Sequence, residues 1–374
     1  MEKKLNEKID EVKTKLIEDI IEIVKIPSVK GTPEKKAPFG RNINKALFKA
    51  LEISEKLGFK TENIDGYMGY AQLGDDENYI GIVGHVDVVL AKEGWCNPPF
   101  SGNIENGKIY GRGVLDNKGP IMSALYALYA IKESKLKLSK TIRIIFGTDE
   151  ESGFSDIPYY LNREKPPIMG FTPDCKYPVV YGERGRAKIK IGIDMNKENY
   201  EKLTREFFDF VNTYFLASKS NGDRLGINYS DKEFGMMQMR NYNLDNKDNY
   251  LNFTFDLSYP ATCTIDEIIK QIESKMSCNL EIELLNNYNP VKFEKKSFLI
   301  RSLQEAYEEV THLDGSPVTT TGGTYAKVMP NIVPFGPSFP GQKGIAHNPN
   351  EYMDMNDIVL NAKIFSQAIY KLAK

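Results

Sequence analysis

The chain has 374 residues, 41% of them hydrophobic and 27% charged, which exceeds one ordinary domain and suits a globular protein with two cores. Lys and Arg number 49 against 51 Asp and Glu, a formal charge of -2, so the composition offers no reason to expect a nucleic acid or an anionic membrane as partner. Cys96, Cys175, Cys263 and Cys278 fall in no CxxC or paired spacing; this argues against a zinc ribbon or disulfide framework and points to a reducing cytoplasm.

The first residues alternate charge with Leu5, Ile9, Val12, Leu16, Ile20, Ile23 and Val24 at helical spacing, which predicts an amphipathic helix and not a signal peptide. No other stretch approaches the ~20 apolar residues of a membrane span. After a Pro- and Gly-bearing loop at Ile26–Phe39, Asn42–Leu57 predicts a second helix, stopped by Gly58. Short strands are expected near Phe59–Ile64 and Gly69–Leu73, then a buried strand at Tyr79–Val83 that runs into Gly84-His85-Val86-Asp87. Gly94–Gly113 reads as loop and hairpin. Asp116 stands where that loop enters a small-residue helix, Ile121–Glu133.

Thr141–Phe146 is β-branched and apolar and predicts a second buried strand, followed by Gly147-Thr148 and three acids in a row, Asp149, Glu150 and Glu151. Adjacent carboxylates repel, so delivering them to the end of a buried strand makes sense mainly if a cation or a proton-transfer task holds them there. Asp174 follows a further apolar run, Ile168–Phe171. Strands alternating with helices imply an α/β domain, a mainly parallel sheet with helices on both faces.

The pattern changes after Gly185. Ala187–Ile193 and Leu251–Leu257 alternate as half-buried strands, Glu201–Phe215 and Ile265–Met276 read as helices, Leu280–Leu284 as a strand, and polar Asn241–Tyr250 as a loop. These predict a small α+β domain open on one face. Past Pro290 the first pattern returns, with a helix at Phe298–Val310, a turn at Gly322-Gly323, a strand near Ile332–Phe335 and a last helix at Asn356–Lys374. The expected organisation is a catalytic domain in two parts, 1–183 and 292–374, around an insertion at 184–291.

His85, Asp116, the Glu150-Glu151 pair, Asp174 and His347 all fall in loops, mostly just after strands. Ligands of open α/β sheets gather outside the carboxyl ends of the strands, so one crevice can collect them. Two imidazoles and several carboxylates without a thiolate suit two divalent first-row ions, zinc by preference. Each residue alone has a plainer explanation. His85 can be a core histidine bonded to Asp87, Asp116 a helix cap, the Glu150-Glu151 pair part of a solvated acidic loop, Asp174 a turn residue and His347 surface, as is expected of His312. Five such coincidences together are harder to sustain.

The motifs GHVDVV (Gly84–Val89), GW then PPF (Gly94–Phe100), GKIYGRG then LDNKGP (Gly107–Pro120), GTDEESG (Gly147–Gly153), TPD (Thr172–Asp174), GGTYAKVMPN (Gly322–Asn331) and AHNPNEYM (Ala346–Met353) span most of the large domain. In them the chain resembles the dinuclear-metal peptidase family of carboxypeptidase G, aminoacylase and the bacterial Xaa-His (carnosinase-like) dipeptidases, the bacterial dipeptidases above all. The resemblance implies that His85 and Asp174 bind a first metal, Glu151 and His347 a second, and that Asp116 bridges them. It implies Glu150 as general base, Asp87 orienting His85, a cis peptide from Asp116 to Asn117, and two divalent ions, Zn2+ or else Mn2+. Asn117 stands where an Asp is common.

The insertion departs from the pattern. The resemblance implies a lid that brings a histidine to the scissile carbonyl and an arginine, near an Arg-Tyr-Pro sequence, to the substrate carboxylate. Here no histidine lies between Glu183 and Val310, Ser258 occupies the arginine's place before Tyr259-Pro260, and the insertion, about 108 residues, is short. Arg224, Arg240 or a neighbouring subunit are the candidate substitutes. The expected function is a cytoplasmic metallopeptidase that hydrolyses short peptides, as a monomer or homodimer. A catalytically weakened relative that binds peptide or metal, and an N-acyl amino acid deacylase, remain the alternatives.

Overall fold

A computed structural model describes residues 2–374. The chain forms two compact units. The first comprises residues up to Tyr181, Phe293–Pro317 and Thr324–Lys374, and the second Gly182–Lys292 with Val318–Gly323. No helix among the described residues is long and apolar enough to cross a membrane.

The first unit is built on six strands, β1 (Lys60–Ile64), β2 (Met68–Leu73), β3 (Tyr79–His85), β4 (Thr141–Gly147), β5 (Met169–Thr172) and β6 (Ile332–Pro334), in the order β1-β2-β4-β3-β5-β6. The last four in that order are mutually parallel, and β1 and β2 form an antiparallel edge. All seven residues of β3 and of β4 are buried, which is why both read as unbroken apolar runs. Successive side chains alternate between two cores. Ile80, Ile82, Ile142 and Ile144 face the one made with the helices Glu2–Val24, Arg41–Lys56, Gly119–Glu133, Phe298–Thr311 and Met355–Ala373. Tyr79, Val83 and Ile145 face a smaller one closed by the short helix Asp156–Leu161 and by Tyr325 and Met329. The second face is therefore covered by short helical turns, not by long helices.

In the second unit an antiparallel sheet runs in the order Gln238–Lys247, Tyr250–Tyr259, Gly185–Asp194, Glu281–Tyr288. Its Ile189, Ile191, Phe253 and Phe255 pack with Leu203, Phe207, Ile268 and Ile272 of the helices Tyr200–Val211 and Ile265–Glu273. Asn241–Tyr250, expected as loop, is mostly strand. Residues 238–247 pair with Tyr250–Tyr259 through a tight turn at Asp248 and Asn249, both at positive φ. A sheet edge needs only its backbone to pair, so polar side chains hide it from a hydropathy pattern; the signal was the Asp-Asn hairpin turn.

β3 and β5 approach closely at two glycines in register, Gly81 and Gly170. A Cβ on Gly170 falls 1.8 Å from the Gly81 carbonyl oxygen, and a backbone atom at the centre of a sheet cannot step aside. Gly170→Ala is expected to cost about 1–3 kcal/mol or more, seen as a lowered thermal unfolding midpoint. An unchanged midpoint would show that the two strands part freely.

Candidate metal centre

Because β4, β3 and β5 are adjacent and parallel, their carboxyl ends open on one edge, where His85, the turn after Gly147 and Asp174 come together. His85 is wholly buried. Its Nδ1 lies 2.9 Å from the Asp87 carbonyl oxygen, which can only accept, so Nδ1 carries the proton. Nε2 then faces Asp116 Oδ1 at 3.1 Å and Asp174 Oδ2 at 3.7 Å.

Asp116 lies in the turn Val114–Lys118, and its peptide to Asn117 is cis. Its other oxygen, Oδ2, is 3.0 Å from His347 Nε2, which is also 3.0 Å from Glu151 Oε1. His347 adopts the left-handed conformation, φ 63°. Two groups result, His85–Asp116–Asp174 and Asp116–Glu151–His347, each with ligand atoms within 4.8 Å of one another and both using Asp116.

Glu150 and Glu151 sit on a single 3-10 turn, Glu150–Ser152. The buried Asp87 carboxylate accepts from both of their backbone N–H groups, at 3.3 and 3.1 Å. Asp87 thus touches the His85 ring with its carbonyl and steadies the two glutamates with its carboxylate. The Glu150 carboxylate has no hydrogen-bond partner among the described residues.

Crowding of like charge shifts the proton affinities of these groups. Burial, then the charge of Asp174, holds Glu150 well above the ordinary carboxylate range. Burial and the charge of Asp116 raise Glu151, and the same two causes push Asp174 up to about 7. Burial alone would raise Asp116 too, yet its bonds to His347 and His85 prevail and lower it. His347 is raised to about 10 by its bonds to Asp116 and Glu151. Burial works against the His85 cation, but the Asp174 charge and bonds to Asp116, Asp174 and Asp87 outweigh it. The pocket concentrates carboxylate charge beside two imidazole nitrogens, surroundings a divalent cation relieves.

The structure adds residues to which the sequence reading gave no role. Glu351 is buried, and its Oε1 accepts from the N–H groups of Gly113, Leu115 and Asp116 at 3.0, 3.0 and 3.2 Å, while Arg112 Nη1 donates to Oε2 at 2.6 Å. The segment bearing His347 thereby fixes the turn bearing Asp116. Asp156, also buried, accepts from Thr148 and Asp149 N–H at 2.8 and 3.1 Å and from the Tyr325 hydroxyl, shaping the turn that leads to Glu150. Lys118 is buried, its Nζ donates to the Ile26 carbonyl at 2.7 Å, and burial pulls it down to about 7. His312 is an exposed left-handed helix cap.

Residues 81–371 match the model of the peptidase family M20/M25/M40. The chain belongs to that family. M20 relatives align along its whole length. It is 29% identical to the Bacillus subtilis (strain 168) protein YtjP, over 97% of this chain and 98% of the relative. It is 28% identical to the Beta-Ala-Xaa dipeptidase of Lactobacillus delbrueckii subsp. lactis, over 97% of each. The alignment with YtjP runs to 455 positions against 374 residues here, so at least 81 of them have no counterpart in this chain. The solved structure of human carnosine dipeptidase 1 shares the fold, with a TM-score of 0.73 at 14% identity, covering 99% of this chain and 98% of that one.

Two outcomes follow for the supporting acids of this M20 chain. Glu351→Ala leaves three loop donors and the Arg112 charge without their acceptor, at a cost of about 3–5 kcal/mol; Glu351→Gln, which keeps one acceptor oxygen, loses less, as denaturant unfolding of the two variants will measure. Burial pushes Asp156 up to about 7, whereas an unfolded Asp titrates near ~3.9. Between those values the folded chain holds a proton the unfolded chain has released, so the stability Asp156 contributes falls as pH rises through that window. The unfolding midpoint of Asp156→Asn, relative to wild type, should therefore climb from pH 4 to pH 7 and level off above it. A difference independent of pH would assign Asp156 an ordinary titration.

Proposed function

We propose that this M20 peptidase is a cytoplasmic, metal-dependent dipeptidase that cleaves the amide bond of short peptides. In this reading His85 and Asp174 bind one divalent ion, Glu151 and His347 the other, and Asp116 bridges them. The observation that carries it is the pair of donor groups meeting on the two oxygens of Asp116. Imidazole and carboxylate donors without a thiolate fit zinc first and manganese second. Two such ions, when bound, would supply Lewis acidity to the scissile carbonyl and activate water.

Glu150 would accept a proton from the attacking water as it adds to the carbonyl carbon, and return it to the nitrogen as the C–N bond breaks. Its unengaged carboxylate and its elevated proton affinity, from burial and the Asp174 charge, suit both halves of that task. Asp87 supports it, bonding both glutamate N–H groups and the His85 ring. The Beta-Ala-Xaa dipeptidase relative supports a dipeptide substrate.

A second reading, a weakened enzyme that binds peptide or metal with little turnover, is favoured by one observation. The second unit contains no histidine, Ser258 is buried in its sheet, and Arg224 and Arg240 are exposed. Loss of an oxyanion donor typically costs ~10²- to 10³-fold in kcat. An N-acyl amino acid deacylase would use the same metal ligands on a different acyl group.

Hydrolysis of a mixed dipeptide library, with N-acyl amino acids alongside, separates these readings when the protein is stripped by chelator and reconstituted with Zn2+ or Mn2+. Dipeptide turnover is expected to vanish with the metals and return with either. Glu150→Ala should retain two ions and lose about 10²- to 10⁴-fold in rate. Activity surviving that change would remove Glu150 from the mechanism, and tight peptide binding without hydrolysis would select the second reading.

A further inference from the structure

Asn117 is wholly buried and lies one residue beyond Asp116. Its Nδ2 donates to the Pro173 carbonyl at 2.6 Å and to Asp174 Oδ1 at 3.3 Å, and its Oδ1 lies 3.4 Å from the His85 backbone N–H. The orientation of the amide is settled by Pro173, whose carbonyl can only accept. A Cβ on Gly84 would come within 2.3 Å of Asn117 Oδ1, so only glycine lets the amide lie against the end of β3. One side chain from the turn bearing Asp116 thus bonds both strand ends that present His85 and Asp174.

The two oxygens of Asp174 are consequently divided. Oδ1 receives the Asn117 amide, and Oδ2 turns to His85 Nε2 at 3.7 Å. We infer that Asn117 is a positioning residue of the first metal site, fixing Asp174 to offer Oδ2 alone to the ion and locking the His85–Asp116–Asp174 group in register. This rests on the reading of those three residues as ligands of one ion. A carboxamide suits these partners, since it supplies two donors and one acceptor without charge. An aspartate of the same shape has no donor for Pro173 or Asp174, and would set a sixth carboxylate beside Asp87, Asp116, Glu150, Glu151 and Asp174. Residues that orient ligands in this way typically govern metal affinity about 10- to 100-fold.

Co2+ is the probe, because its visible absorption reports the donors of each site separately. His347→Ala leaves the first group intact and His85→Ala the second, so each background isolates one site in the full chain. In the His347→Ala protein, Asn117→Asp and Asn117→Ala should each weaken Co2+ binding about 10- to 100-fold and alter the absorption bands. In the His85→Ala protein the same changes should shift affinity less than about threefold. Equal weakening in both backgrounds would reduce Asn117 to a general structural residue and overturn the inference, as would unchanged binding at the first site. Should the Asn117 variants not fold, a crystal structure of the Co2+-loaded wild type decides. Asp174 bound through Oδ2 with the amide still on Oδ1 supports the inference, and an Asp174 chelating through both oxygens overturns it. If the wild type binds no Co2+, the metal-centre reading fails and the inference with it; binding that ignores Asn117 sinks the inference alone.

Discussion

Repulsion among carboxylates gathered at one sheet edge is the constraint around which the first unit is arranged. Glu150, Glu151 and Asp174 converge there because parallel strands end side by side, and the turn Val114–Lys118 adds Asp116; burial removes much of the water that would otherwise screen them. The direction of the shifts records the conflict: Glu150, Glu151 and Asp174 are driven toward their protonated forms, and both imidazoles toward their cations. Such a cluster stores unfavourable charge in a chain that must stay folded. It is tolerable as a resting place for cations, and an extravagance otherwise.

One device recurs in holding these acids still. A buried carboxylate that takes no part in either donor group accepts backbone N–H groups from the turn that presents a neighbouring acid. Asp87 does this for Glu150 and Glu151, Asp156 for Thr148 and Asp149, and Glu351 for the turn of Asp116. Fixing the backbone is more effective than fixing a side chain here, because each donor has few torsions left once its turn is set. The partners lie far apart in sequence, Glu351 and Asp116 by 235 residues, so the site forms only when the first and last chain segments of the first unit have come together.

Sequence reading reached this far and no further for physical reasons. β3 and β4 were legible because a strand buried on both faces must be apolar throughout, and the acids that follow each are conspicuous against it. The mainly parallel sheet and the α/β class followed from the same alternation. The edge strand at residues 238–247 was illegible because pairing there uses backbone alone and leaves polar side chains in water. Glu351 and Asp156 were illegible as supporting acids because nothing local separates a buried carboxylate with N–H donors from a solvated one. That Asp87 would lie beside His85 could be read from the spacing; that its carboxylate would also cap the turn of the two glutamates could not, since the N–H groups come from another strand's end.

The absent histidine bears differently on the metals and on the reaction. Every proposed ligand and the proposed base lie within the first unit, so loss of at least 81 positions relative to YtjP removes none of them. In the proposed reading, water activation and proton transfer draw on that unit alone. Stabilising the developing oxyanion and holding a substrate carboxylate are separate tasks, and the second unit brings no imidazole to them. A backbone N–H, an arginine or a hydroxyl can replace an imidazole donor, but an arginine used for the oxyanion is no longer available to the carboxylate. Under the proposed mechanism the shortened chain therefore faces a choice among its remaining donors, and that choice bears on turnover and not on the proposed ligands.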